Sequence, residues 1–94
     1  MSLTFEWDPM KAGENLRRHG ISFEEASTAF QDPLSRTIHD PDHSDEEDRF
    51  LLLGQTDRGR LVVVSHTERG SRIRLINARI AERRERKTYE DDPG

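Results

Sequence analysis

Apolar and polar residues change period several times along the chain, and each change marks an element. Leu61-Val62-Val63-Val64 is a β-branched run with strand preference, and Glu68-Arg69-Gly70-Ser71 supplies the glycine that a reversing chain needs where φ turns positive. Beyond that turn, Arg72-Ile73-Arg74-Leu75-Ile76 alternates. Ile73 and Leu75 therefore face a core while Arg72 and Arg74 stand together on the other side. These two segments predict a β-hairpin.

The rest of the chain supplies layers for this hairpin to pack against. Thr4-Phe5-Glu6-Trp7 reads as a short edge strand with Phe5 and Trp7 on one face. It stops at Asp8-Pro9, a good N-cap followed by a residue suited to the first helical turn. The helix runs to about His19 with Gly20 after its C-terminus, and Met10, Ala12 and Leu16 give it only a weak apolar stripe. Ser22, with Glu24 and Glu25 in the first turn, opens a second helix on which Phe23, Ala26, Ala29 and Phe30 recur at helical spacing. Ile21 precedes the cap and can staple onto Ala26, and Asp32-Pro33 closes the helical hairpin. Leu34 to His39 predicts a strand with Leu34, Arg36 and Ile38 on one face, Asp40 to Asp48 an acidic loop, and Arg49 to Gln55 a central strand. Asp57-Arg58-Gly59 turns the chain back into the hairpin. Ala78 to about Glu90 predicts a charged helix, and residues 91–94 a frayed tail. The order β-α-α-β-β-β-β-α predicts one α+β domain over residues 1–90. Its sheet is expected to be an antiparallel meander of about four strands plus the short N-terminal strand, with the helical hairpin on one face and a C-terminal helix.

Composition adds that the core is thin, since 31% of residues are hydrophobic and 36% charged, and a partner is expected to help cover it. The absence of cysteine excludes disulfides and thiolate metal sites. No apolar run approaches the roughly 20 residues of a membrane-spanning helix, and the N-terminus lacks the regions of a signal peptide, so a cytoplasmic protein without membrane contact is expected. The net charge of −4 is unevenly spread: residues 1–48 hold 4 Lys/Arg against 12 Asp/Glu, and residues 49–94 hold 11 against 7. The basic half coincides with the strands, which points to a basic face for a polyanion.

Five segments, in order, resemble the BrnT-type toxin family of bacterial type II toxin–antitoxin systems. They are Phe5-Glu6-Trp7-Asp8, Asn15 to Ala26 (NLRRHGISFEEA), Asp40-Pro41-Asp42-His43, Arg49-Phe50, and His66-Thr67-Glu68-Arg69 with Ile76-Asn77-Ala78-Arg79. Lys11 stands where such members carry a lysine, and Asn77 replaces the serine common after the isoleucine. The resemblance implies a RelE-like fold, RNA cleavage that inhibits translation, and a BrnA-type antitoxin. The antitoxin's ribbon-helix-helix part would bind operator DNA.

The residues themselves suit cleavage of RNA without metal, in which the 2′-hydroxyl attacks the adjacent phosphate. The protein must remove a proton, neutralise charge on the phosphorane and protonate the leaving oxygen. Arg72 and Arg74, with Arg79 at the helix junction, are the candidates for charge neutralisation, because guanidinium binds phosphate oxygens bidentately and keeps its charge. An ordinary solvated sheet surface is the bland alternative for the pair, and a structural ion pair for Arg79. His66, with Glu68 as orienter or as the base, is the candidate acid–base group. Its face depends on register: in phase with Val62 and Val64 it enters the core, whereas a bulge near Ser65 turns it to the open face. His19 reads as a cap against the helix C-terminal dipole, with catalysis the lesser alternative, and His43 as lesser still. Lys11, Arg17, Arg18, Arg49 and Arg69 are candidate RNA contacts, on ribosome-bound RNA or free RNA. Six of the nine residues from Asp40 to Asp48 are carboxylates, but the glycine and glutamate of a calcium loop do not fall in place, so neither metal nor cofactor is expected and a metal-dependent hydrolase using this loop is the weakest reading. A non-enzymatic module binding nucleic acid or protein through the same basic face is the second reading.

Overall fold

The β-branched and alternating segments pair into one five-stranded sheet, in a computed structural model that describes residues 3–43 and 47–91. In chain order the elements are β1 (Thr4–Glu6), α1 (Pro9–His19), α2 (Phe23–Thr28), β2 (Arg36–Asp40), β3 (Arg49–Gln55), β4 (Leu61–Arg69), β5 (Arg72–Ile80) and α3 (Arg83–Asp91). A 3₁₀ turn, Ala29–Gln31, extends α2, and another, Pro41–His43, follows β2. Ser44, Asp45 and Glu46 of the acidic loop, and Asp92, Pro93 and Gly94 of the expected tail, lie outside the described residues.

The sheet order is β1-β5-β4-β3-β2. Strands β2 to β5 form the expected antiparallel meander, but β1 runs parallel to β5, pairing Thr4 with Arg72, Phe5 with Ile73 and Glu6 with Arg74. The sheet is therefore mixed rather than antiparallel. No tight turn joins β1 to β5, because the helices and three strands intervene, so hairpin geometry does not dictate the direction of pairing.

Several boundaries differ from the sequence reading: β1 ends at Glu6 rather than Trp7, β2 takes in Asp40, and Asp91, expected in the frayed tail, closes α3. Leu34 is in a turn, where its amide donates to Asp32 Oδ1 at 3.0 Å, and β2 starts at Arg36. The second helix tightens to 3₁₀ geometry after Thr28. Ala78, Arg79 and Ile80 continue β5 instead of opening the last helix. They are paired across from Val64, Val63 and Val62, and this ladder outweighs the helix preference of alanine and arginine.

Each sheet face has its own apolar cluster. Val62, Val64, Leu52, Ile73, Leu75 and Ala78 meet Ile21, Phe23, Ala26 and Ala29 beneath α1 and α2, with Phe5, Trp7 and Phe30 at the margin. On the other face Leu61, Val63 and Ala81 pack with Leu51, Leu53 and Tyr89 of α3. Caps hold the helices in place: Asp8 accepts from Met10 N at 2.9 Å, Ser22 from Glu25 N at 3.0 Å, and Gly20 takes φ 70° after α1.

One polar group is built into this core. Asn15, on α1, donates to Ile21 O at 3.0 Å and to Ala78 O at 2.8 Å, and accepts from Ala78 N at 3.0 Å. Because β1 pairs only as far as Arg74, the edge of β5 at Ala78 has no strand beside it, and the Asn15 amide supplies the missing donor and acceptor.

Candidate functional site

The ladder between β4 and β5 shifts register between Ser65 and His66. Val64 pairs with Ala78 and Ser65 with Asn77, but His66 pairs with Leu75, so Ile76 is the extra residue and the bulge lies in β5. Strand β4 keeps its phase, which leaves His66 on the helix side with Val62 and Val64. Strand β5 changes phase, so Arg79 joins Arg72 and Arg74 on the opposite face.

His66 is completely buried. Its Nδ1 lies 3.1 Å from Val64 O and its Nε2 3.0 Å from Glu68 Oε2, and its ring packs edge-on against Phe30 and stacks on Phe50. Both ring nitrogens are thus engaged inside the core. Glu68 shares this side of the sheet, so the sheet itself separates the His66–Glu68 pair from Arg72 and Arg74.

The arginine face forms two lateral rows across three strands. One is Glu6–Arg74–Thr67 and the other Thr4–Arg72–Arg69, as the registers of β1 and β4 on β5 dictate. Glu6, Thr67, Arg69, Arg72 and Arg74 line a small cleft of about 30 Å³. The Glu6 carboxylate accepts from Arg74 Nη1 at 3.3 Å and lies 3.7 Å from Arg72 Nη1. Arg69 Nη2 donates to Glu47 Oε2 at 2.7 Å, and that bond holds its pKa above the ordinary arginine value. The guanidinium groups remain largely exposed, 68% for the Arg72 side chain and 46% for Arg74. Thr67 lies at the floor of the cleft, 2% exposed, and its Oγ1 has no hydrogen-bond partner among the described residues. Leaving a buried hydroxyl unpaired costs roughly 1–3 kcal/mol, so this group calls for an explanation.

Arg79 lies further along the same face, where it pairs with Glu85 of α3. Its two Nη atoms grip both oxygens of Glu85 at 2.8 and 2.7 Å. This grip keeps the Glu85 carboxyl below its usual range against the opposing effect of burial, and Glu82 N assists by donating to the same group. Glu85 thereby ties the start of α3 to β5. Of the remaining candidates, Lys11, Arg17 and Arg18 are exposed on α1, behind the sheet from the arginine cleft. Arg49 begins β3, opposite Asp40, on the arginine side by alternation. His19 ends α1 beside Gly20. The arginine side also holds an apolar cleft of about 250 Å³ between β2, β3 and α3, lined by Ile38, Leu51, Leu53 and Val63 among others.

Sequence reasoning missed Glu6 and Thr67. Strand alternation could have found Thr67, since a hairpin turning at Gly70-Ser71 sets Arg69 opposite Arg72 and Thr67 opposite Arg74. Nothing local marks Glu6, which depends on parallel pairing with a strand more than 60 residues away. Among the described residues no group of three or more His, Asp or Glu side chains is arranged to hold a metal ion.

The comparisons with known proteins concern most of the chain. Residues 7–85 match the model of the ribonuclease toxin BrnT of type II toxin–antitoxin systems. Among curated proteins none matches the chain. The fold is similar to that of the Brucella abortus ribonuclease toxin BrnT seen in its crystal structure. The TM-score is 0.63 at 20% identity, over 87% of this chain and 100% of that one. The chain belongs to the BrnT family of ribonuclease toxins of type II toxin–antitoxin systems.

Proposed function

We propose that the chain is a metal-independent, RelE-like endoribonuclease whose reacting surface is the cleft between β1, β5 and β4. The observation that carries this reading is the convergence of Arg69, Arg72 and Arg74 on an exposed face, with Glu6 lining the same cleft and Glu47 paired to Arg69. Three guanidinium groups beside two carboxylates, Glu6 and Glu47, leave a net positive charge that favours an RNA phosphate, and their forks match its non-bridging oxygens. In the reaction the 2′-oxygen bonds to phosphorus as the bond to the 5′-oxygen breaks, leaving a 2′,3′-cyclic phosphate and a 5′-hydroxyl. Arg72 and Arg74 neutralise charge on the phosphorane. Glu6, displaced from the arginines by the phosphate, accepts the 2′-hydroxyl proton, and water protonates the leaving oxygen.

In this reading His66 and Glu68 stiffen the strand behind the cleft, Arg79 anchors α3, and Arg49 extends the basic surface. Lys11, Arg17 and Arg18, on the other side, serve contacts with a larger RNA or the ribosome. In the cytoplasm such cutting inhibits translation. A BrnA-type ribbon-helix-helix antitoxin neutralises the toxin by covering the arginine face, and contacts operator DNA in the joint complex.

Incubating the purified chain with RNA in chelator tests the proposal. Cleavage that leaves 2′,3′-cyclic phosphate ends is expected, together with its loss in the Arg72→Ala/Arg74→Ala double variant. Binding without cleavage, or cleavage only on adding metal, would overturn it.

A further inference from the structure

We infer that Thr67 is a phosphate ligand, its Oγ1–H donating to a non-bridging oxygen of the RNA phosphodiester held between Arg72 and Arg74. The inference rests on the arginine face proposed above and adds a neutral donor to it. Three observations converge. Thr67 is opposite Arg74 in the ladder and so shares its face, while Glu6 is opposite Arg74 on the other flank. Its hydroxyl is the one buried side-chain polar atom without a hydrogen-bond partner among the described residues. Thr67 also lines the cleft formed by Glu6, Arg69, Arg72 and Arg74.

The surroundings explain why the hydroxyl is both hidden and reachable. Val63 and Ser65, in phase with Thr67 on β4, leave it as the β4 hydroxyl nearest the arginine pair. The groups above it are long side chains, from 38% exposed for Glu6 to 71% for Arg69. They can withdraw by changing rotamer, with no movement of the strands. Glu6 lines the cleft of about 30 Å³ with its carboxylate against Arg72 and Arg74, an anion held where the arginines would hold another. When a phosphate displaces Glu6, the arginines keep their charge pairing and the Thr67 hydroxyl gains the acceptor it lacks. An orphan donor of this kind destabilises the free fold and acts on the bound anion.

The test compares Thr67→Val, which keeps shape and removes the hydroxyl, with Thr67→Ser, which keeps the hydroxyl. Three properties are followed: thermal unfolding, binding of inorganic phosphate and of a 2′-O-methyl RNA that cannot react, and cleavage of ordinary RNA. Thr67→Val is expected to unfold at or above the wild-type temperature, to bind the 2′-O-methyl RNA about 10-fold more weakly and to cleave at least about 10-fold more slowly, with Thr67→Ser within about threefold of wild type. A parallel loss of inorganic phosphate binding marks a general oxyanion site, and loss for the RNA alone marks a diester site; either supports the inference. Thr67→Val with wild-type binding and cleavage would overturn it, even if the arginine variants lose cleavage as proposed. Equal defects in both variants would overturn it too, by showing a packing role. If the wild type cuts no RNA yet its phosphate binding depends on the Thr67 hydroxyl, the site stands and the ribonuclease reading fails.

Discussion

Asn15 and Gly54 show how single residues hold the frame behind the cleft. Asn15→Ala removes three hydrogen bonds and leaves Ala78 N, Ala78 O and Ile21 O without their partner in a buried place. We expect a loss of about 2–3 kcal/mol, measured by urea unfolding, since unsatisfied buried backbone groups carry the full desolvation penalty. Gly54 needs its missing Cβ for space. A Cβ there would lie 2.9 Å from Ala29 O and 3.0 Å from Ser35 Cβ, so Gly54→Ala should cost roughly 1–3 kcal/mol in the same assay through overpacking. Neither role was legible in the sequence. Asparagine on a weakly apolar helix reads as solvent-facing, and the need for this glycine arises from a turn more than 20 residues away. The shared face of Arg72 and Arg74, by contrast, followed from strand alternation alone, because that rule depends only on neighbours.

At the scale of elements, two polar clusters fasten the layers, and each should leave a mark on the pH dependence of stability. Arg60, just before β4, bonds to both oxygens of Glu25 on α2, with Nε to Oε2 at 2.8 Å, while Thr56 Oγ1 donates to the same carboxylate at 2.8 Å. The Arg60 hydrogen bond is the main reason the Glu25 carboxyl stays below its usual 4.5, with burial opposing it and Thr56 assisting. Since the folded pKa is depressed, this contribution is present above about pH 4.5 and is lost as pH falls through the lower folded value. Glu25→Gln should therefore flatten the acid limb of a plot of melting temperature against pH. At the other end, Tyr89 Oη donates to Asp32 Oδ2 at 2.6 Å and clips α3 to the turn before β2. Burial, then this bond to Asp32, pushes the Tyr89 hydroxyl up to about 12 from 10.0. Its contribution is fully present below pH 10 and disappears as pH rises through about 12. Tyr89→Phe should abolish that alkaline dependence and speed amide hydrogen exchange in α3, with little change in β4. The helix caps and the meander were readable in the sequence because each is signalled within a few residues. The bulge at Ile76, the end of β5 and the parallel β1 were not, since each is decided by pairing across the sheet.

For the molecule as a whole, the sheet acts as a partition. The helix side holds the main core and His66, and the other side is shared between α3 and the arginine cleft. The uneven charge of the two halves of the chain turns into a spatial arrangement here: Glu6 and Glu47 from the acidic half come to Arg72, Arg74 and Arg69 from the basic half. Carboxylates of the chain thus occupy guanidinium groups that a polyanion would claim, and RNA binding should weaken as salt rises, because added ions reduce the gain from releasing the counterions condensed on the phosphates. The sequence conveyed the family and the basic strands, but the choice between the two sheet faces required the register of β4 on β5.

That choice is the central claim, and RNA cleavage by variants from opposite faces tests it most directly. In chelator, with unfolding temperatures confirming that each variant is folded, Arg72→Ala/Arg74→Ala is expected to cleave at least about 100-fold more slowly than wild type, the scale of losing preorganised charge from a transition state. Glu68→Gln, on the helix side, should stay within about threefold. The opposite pattern, with the arginine variant active and the Glu68 variant inactive, would contradict the account and move the reacting surface to His66.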